Sequence, residues 1–187
     1  MEDKQRCDWS SNAILNEYHD NEWSKITQND DYIFELLILE NMQAGLNWLT
    51  ILLKREEFKK AFDNFELKKI ISYDENKINE LMNNKGIIRN KLKIKSLISN
   101  AKAFKEIQIQ FGSFYNYIWT FTNNKQVINN WNSIDEVPAE SDLSKTISVD
   151  LRKRGFKFVG PVIVYSFLQA IGIIDDHLNK CFCKNQN

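Results

Sequence analysis

The chain has 187 residues and a formal net charge of zero, with 25 Lys plus Arg against 25 Asp plus Glu. At 43% hydrophobic and 27% charged residues, it has the composition of a folded globular protein, which excludes a disordered segment, a collagen-like repeat and a disulfide scaffold. Taken as a total, the charge advertises no polyanionic partner.

In chain order, the start from Met1 to Trp9 is too polar for a signal peptide, and no later apolar run reaches the roughly 18 residues that span a bilayer. A cytoplasmic protein with no membrane partner is therefore expected. Only 2 Pro and 6 Gly occur, and apolar residues recur at three- and four-residue spacing, so the expected fold class is all-α. Asp30 can cap a helix with the stripe Ile33, Leu36, Leu37 and Ala44, and Gly45 takes the C-terminal capping place. Further helices are expected from about Asn47 to Phe62, Asp74 to Asn84, Ile88 to Gln108 and Ser113 to Phe121. Thr122 to Ser141, rich in Asn and holding Pro138, reads as one long loop without a domain boundary. Helices return at about Asp142 to Arg154, Pro161 to Ile171 and Asp175 to Cys181. With no linker or repeat, residues 1–187 are expected to form a single domain, conceivable as two helical lobes.

The three cysteines lie at the two extremes, Cys7, Cys181 and Cys183, an odd number that suits a reducing compartment better than a disulfide framework. The two histidines each lie near a cysteine: His19 after Cys7, His177 before Cys181. On a helix His177 and Cys181 would share a face, and two thiolates with two imidazoles complete a closed tetrahedral zinc shell. Cys183 is the weaker candidate, because two residues along a helix turns it away. The spacing alone equally allows small buried thiols and ordinary polar histidines.

Charge is uneven along the chain. Leu81 to Lys105 carries Lys85, Arg89, Lys91, Lys93, Lys95, Lys102 and Lys105 with no acid, and Leu151 to Ile174 carries Arg152, Lys153, Arg154 and Lys157 with none. Within the second stretch a helix ends at Gly155, a short apolar turn Phe156-Lys157-Phe158-Val159-Gly160 follows, and Pro161 opens the next helix in its favoured position. Such a turn aims free N–H groups and a positive helix end at one spot, which suits a phosphate. A tight helix–helix turn with a solvated basic face explains the same pattern.

Extending the stripe of Ile33, Leu36, Leu37 and Ala44 through its missing turn lands on Glu40. A carboxylate on an inward face needs a partner or a purpose: burial raises its pKa, whereas donors or a cationic ligand keep it ionised. Tyr18, Trp23 and Trp48 could supply aromatic faces for a flat cation. A Glu paired with a core Arg among space-filling aromatics is the other reading.

At these residues the sequence resembles the DNA-3-methyladenine glycosylase I family. The matching segments are Arg6-Cys7-Asp8-Trp9, Tyr18-His19-Asp20-Asn21-Glu22-Trp23, Leu39-Glu40 with Gln43-Ala44-Gly45-Leu46-Asn47-Trp48, Gly86-Ile87-Ile88-Arg89, Lys153 to Gly160, and Asp176-His177 with Cys181. The resemblance implies a helix-hairpin-helix glycosylase fold with a zinc clasp joining the N- and C-terminal segments. It implies hydrolysis of the N-glycosidic bond of 3-methyladenine in alkylated double-stranded DNA, which releases the free base and leaves an abasic site. Cys7, His19, His177 and Cys181 would ligate one structural zinc. Tyr18, Trp48 and Glu40 would line the base pocket, Glu40 with the catalytic role. Leu46 would fill the gap left by the extruded nucleotide, and Lys153, Phe156, Lys157, Val159 and Gly160 would meet the DNA backbone. The enzyme would act as a monomer in the bacterial cytoplasm.

Departures from the family pattern are a Cys7 to His19 interval one residue short, Ser24 for a Gly, Asn41 for a small residue and Asn47 for a Ser. Asp175 and Asp176 adjoin His177 and receive no catalytic role. The competing class is a non-catalytic, zinc-clasped DNA-binding module, which would not require a buried Glu beside aromatics.

Overall fold

The computed structural model describes residues 4–184, so the outermost parts of the expected 1–187 domain, residues 1–3 and 185–187, lie outside it. Helix α1 spans Ala13–Asn21, α2 Asp30–Gln43, α3 Trp48–Ala61, α4 Leu67–Ile71, α5 Glu75–Asn83, α6 Lys91–Phe111, α7 Phe114–Trp119, α8 Asp142–Lys153 and α9 Pro161–Ala170. Short polar side chains begin most of them by accepting from first-turn N–H groups: Asn12, Asn29, Asn47, Asp74, Asn90 and Ser113 cap α1, α2, α3, α5, α6 and α7. Ser141 and Ser144 form a reciprocal capping box on α8. The cap of α2 is thus Asn29 and not the expected Asp30, whose carboxylate instead accepts from the N–H groups of Phe114 and Tyr115 at 2.7 and 2.9 Å and holds the start of α7.

Helix α2 is the axle of the fold. Ile33, Phe34, Leu36 to Met42 are all buried, and α3, α6, α7 and α9 pack around them. A helix buried on every side loses the one-sided stripe by which an amphipathic helix is read. The main core joins α2 to α9, with Phe34 edge-on to Phe104 and Phe104 stacked on Phe114. A second, smaller cluster gathers both chain ends: Cys7, Tyr18, Trp23, Leu178, Cys181 and Cys183. Trp48 and Val137 pack against both clusters, which places the space between them at the start of α3.

The all-α architecture expected is the one observed, with one small addition: Val127–Ile128 (β1) pairs in parallel with Ile174–Asp175 (β2), and Trp131 bridges to Leu178. One expectation is corrected. The helix expected over Asp175 to Cys181 is absent, replaced by β2 and a turn. The cause is local. Asp175 Oδ1 accepts the His177 N–H at 3.0 Å, an Asx-type bond that competes with the helical ladder, while the long connection after α7 supplies strand partners. Gly172 makes this possible: at φ +79 it lies so close to Lys25 and Ile26 that a Cβ would come within 2.5 Å of the Ile26 nitrogen. Among the described residues no helix is long and apolar enough to cross a membrane.

Candidate active site

A cavity of about 350 Å³ opens between the two clusters. Tyr18 enters it from α1, Glu40 from α2, Trp48 from the first turn of α3, Tyr165 and Gln169 from α9, and Ile134, Val137 and Pro138 from the connection after β1. The connection read as a plain loop therefore forms one wall.

Glu40 is 3% exposed and its Oε2 has no hydrogen-bond partner among the described residues. Burial alone pushes its carboxyl up to about 8. No core Arg neutralises it: Arg55 donates to Glu22 and Glu35 instead. Tyr18 is buried beside it, and burial first, then the nearby Glu40, drives the phenol well above its ordinary range. The Tyr18 and Trp48 rings are 5.2 Å apart at 56°, and Trp48 Nε1 is buried without a hydrogen-bond partner among the described residues. Trp9 and Trp23, 5.0 Å apart edge to face, complete the aromatic lining.

The cavity holds a second carboxylate with the opposite character. Asp176 Oδ1 accepts from Asn129 Nδ2 and Trp131 Nε1, both at 2.7 Å. Its Oδ2 accepts from the Tyr165 hydroxyl at 2.6 Å and Gln169 Nε2 at 2.7 Å. Four donors saturate this group and make it a structural anchor between the connection and α9, whereas Glu40 keeps an acceptor open. Sequence reasoning missed the anchor, because its donors come from positions 129 to 169 with no spacing rule linking them.

Of the expected ligands, His19, His177 and Cys181 come together, although not on one helix, and they do so with Cys183, while Cys7 lies beside Cys181 outside that group. His19 Nδ1 and His177 Nδ1 each lie 2.8 Å from a carboxylate oxygen, of Asp20 and Asp175 respectively, which directs each Nε2 toward the thiols. His177 Nε2 is buried with no hydrogen-bond partner among the described residues, and His19 Nε2 is 3.4 Å from Cys181 Sγ. The donor atoms of His19, His177, Cys181 and Cys183 all lie within 4.8 Å of one another. Cys7 Sγ shares a hydrogen bond with Cys181, which holds the Cys181 thiol down and pushes the Cys7 thiol up, and it accepts the Leu178 N–H at 3.4 Å. An orphaned imidazole nitrogen facing clustered thiols, with both imidazoles backed by carboxylates, fits a thiophilic divalent metal. Cys183 belongs to this group because the chain turns at 182–184 instead of continuing a helix.

The turn between α8 and α9 reverses through Gly155 at φ +97 and Phe158 at φ +55. Phe156 and Val159 are each 1% exposed and turn their side chains into the core, and the Val159 carbonyl accepts from the buried Ser148 hydroxyl at 2.6 Å. Lys153 and Lys157 are exposed. Gly160 sits at the N-cap of α9 without a capping side chain, which leaves first-turn N–H groups of that helix open. Leu46 projects from the turn before α3, 42% exposed. Of the basic stretches, Lys95 pairs with Glu75 and Arg154 with Asp150. Lys93 faces inward, its Nζ donating to the carbonyls of Met42 and Ala44 at 2.9 and 2.7 Å. The two stretches nevertheless meet, since Lys95 and Lys157 line one groove with Leu92 and Phe158.

Residues 9–184 match the family model described as methyladenine glycosylase. The chain is 40% identical over 180 residues to the DNA-3-methyladenine glycosylase of Haemophilus influenzae, covering 96% of this chain and 97% of that one. It is 37% identical to DNA-3-methyladenine glycosylase 1 of Escherichia coli, covering 96% of each. Among solved structures, a single-site variant of 3-methyladenine DNA glycosylase I in complex with 3-methyladenine superposes with a TM-score of 0.94 at 32% identity, covering 97% of this chain and 98% of that one.

Proposed function

This chain belongs to the methyladenine glycosylase family, and from that premise we propose how its residues carry the reaction. It is a 3-methyladenine DNA glycosylase of base-excision repair, hydrolysing the N-glycosidic bond. The observation that carries the proposal is the buried, unpartnered Oε2 of Glu40 in an aromatic cavity whose other carboxylate is saturated.

The substrate is alkylated double-stranded DNA, and the lesion must leave the stack to be read. Alkylation at N3 makes the adenine cationic and already a good leaving group, so less general-acid help is needed than when a neutral oxygen departs. Tyr18 and Trp48 stack on the extruded base and attract its charge through their ring faces. Glu40 accepts hydrogen bonds from its edge, is drawn into the ionised form by the cation, and stabilises positive charge as the glycosidic bond opens. Desolvation raises the cost of the Glu40 anion until a cation arrives, which favours the charged lesion over a neutral base.

Leu46 fills the gap left in the duplex, as an apolar wedge at a helix start. Lys153 and Lys157 contact phosphates, and the backbone of Phe156, Val159 and Gly160 with the start of α9 receives the DNA backbone. Cys7, His19, His177 and Cys181 would hold one structural zinc, with Cys183, which clusters with both histidines and Cys181, the alternative thiolate. When bound, the metal would tie the two ends of the chain together and would supply stability, with no part in bond cleavage. The protein acts as a single-domain monomer in the bacterial cytoplasm, with its base pocket between the two packed clusters.

The test is incubation with methylated duplex DNA without added cofactor, followed by assay of free 3-methyladenine. Release supports the enzyme. Failure of a folded, zinc-loaded sample to release base favours a DNA-binding module.

A further inference from the structure

Asn41 follows Glu40 on α2, so about 100° of helix rotation separates the two side chains. Glu40 faces the cavity, while Asn41, 1% exposed, faces the α8–α9 turn. Its Nδ2 donates to the carbonyl of Phe158 at 3.0 Å. Asn100 of α6, fully buried, donates through Nδ2 to Asn41 Oδ1 at 2.6 Å and to the Lys157 carbonyl at 3.1 Å. Its Oδ1 accepts the Lys157 N–H at 2.8 Å. Two buried amides thus tie both main-chain groups of Lys157 and the carbonyl of Phe158 to the central helices.

The tied residue is also the strained one. Phe158 holds φ +55, a left-handed conformation that costs a bulky side chain energy and persists only when its surroundings over-determine it. Unsatisfied, the part-buried carbonyls of this turn would favour relaxation toward water. We infer that Asn41 is a positioning residue for the hairpin: with Asn100, it locks the Lys157–Phe158 main chain, and with it the following start of α9, in fixed register with the base cavity one residue away on α2. The inference rests on the reading of the hairpin as the DNA grip. Its consequence is that Asn41 governs how firmly duplex is held and leaves base recognition to its neighbour Glu40.

The experiment compares Asn41→Ala, Lys157→Glu and the unaltered protein, each zinc-loaded. Affinity is measured for a duplex carrying a non-cleavable abasic-site analogue and, separately, for free 3-methyladenine, with kcat and KM for base release from methylated duplex. Loss of the two bonds that Asn41 makes, to the Phe158 carbonyl and from Asn100, predicts roughly tenfold weaker duplex binding for Asn41→Ala. The kcat/KM loss should lie mainly in KM, free-base affinity should stay within twofold, and the Lys157 amide should exchange hydrogen faster. Unchanged duplex affinity in Asn41→Ala with weakened binding in Lys157→Glu overturns the inference and leaves the hairpin grip standing. Equal losses for duplex and free base overturn it as well, since they mark general destabilisation. Unchanged binding in Lys157→Glu removes the hairpin reading and the inference with it. Should Asn41→Ala not fold, Asn41→Ser, whose hydroxyl is too short to span the gap, is read by the same criteria.

Discussion

Replacing Glu40 by Gln should stabilise the protein above neutral pH while impairing it as an enzyme. The Glu40 carboxyl lies at about 8 in the fold against an ordinary 4.5, through burial alone. The gap corresponds to roughly 5 kcal/mol of unfavourable free energy for holding the anion in this cavity. Because the folded pKa is raised for an acid, the native state binds more protons than the unfolded state between these values, and stability falls as pH rises through that window. At pH 5.5 the loss is between about 1 and 2 kcal/mol, and it approaches roughly 5 kcal/mol above pH 8. Gln is nearly isosteric and uncharged throughout, so its advantage over Glu should widen by about 3 kcal/mol between pH 5.5 and pH 8.5. Urea unfolding at the two values, with m-values checked for constancy, measures this. A Gln variant equally or less stable at pH 8.5 would refute the argument, because it would mean that the anion has a compensating partner in the cavity.

Three further predictions concern the rest of the molecule. Cys7→Ala and Cys181→Ala should each lose zinc, measured by elemental analysis, and unfold several kcal/mol more easily, since a closed structural site contributes folding energy directly; retention of zinc by Cys7→Ala and loss by Cys183→Ala would assign the fourth ligand to Cys183. Lys157→Glu should weaken duplex binding and lower the slope of log affinity against log salt by about 1 without altering base preference, as read by binding titrations over a salt series. Lys93→Met should cost about 2 kcal/mol in urea unfolding, through loss of the charge-assisted bonds to the Met42 and Ala44 carbonyls, yet leave that salt slope unchanged because this ammonium faces inward.

Local chemistry made much of the fold readable in advance. Asn47, Asp74, Ser113 and Pro161 announced their helix starts, since a short acceptor or a fixed φ acts on its own first turn. Glu40 stood out because its stripe pointed inward, and the cavity confirms that direction. Helix α1 and the short α4 escaped notice: α1 buries only Leu15, Tyr18 and His19, too few apolar residues for a stripe. The β1–β2 pairing joins residues nearly fifty positions apart, and no local period encodes such a match. The same holds for Asp176, whose meaning lies in four distant donors. His177 and Cys181 were rightly grouped for an incorrect reason: helical spacing suggested the pair, whereas an Asx bond at Asp175 and the following turn bring them together. That turn also brings in Cys183. Charge counting along the chain located the basic stretches but could not separate Lys93, engaged with α2, from Lys157 at the surface.

The central claim is that Glu40 makes this cavity catalytic. It is tested most directly by single-turnover release of free 3-methyladenine from methylated duplex DNA, comparing the unaltered protein with Glu40→Gln at matched zinc content and saturating enzyme. The account predicts release without added cofactor by the former and a rate roughly a hundredfold lower in the latter, the scale of losing one preorganised electrostatic contact. Equal rates in the two proteins would contradict it.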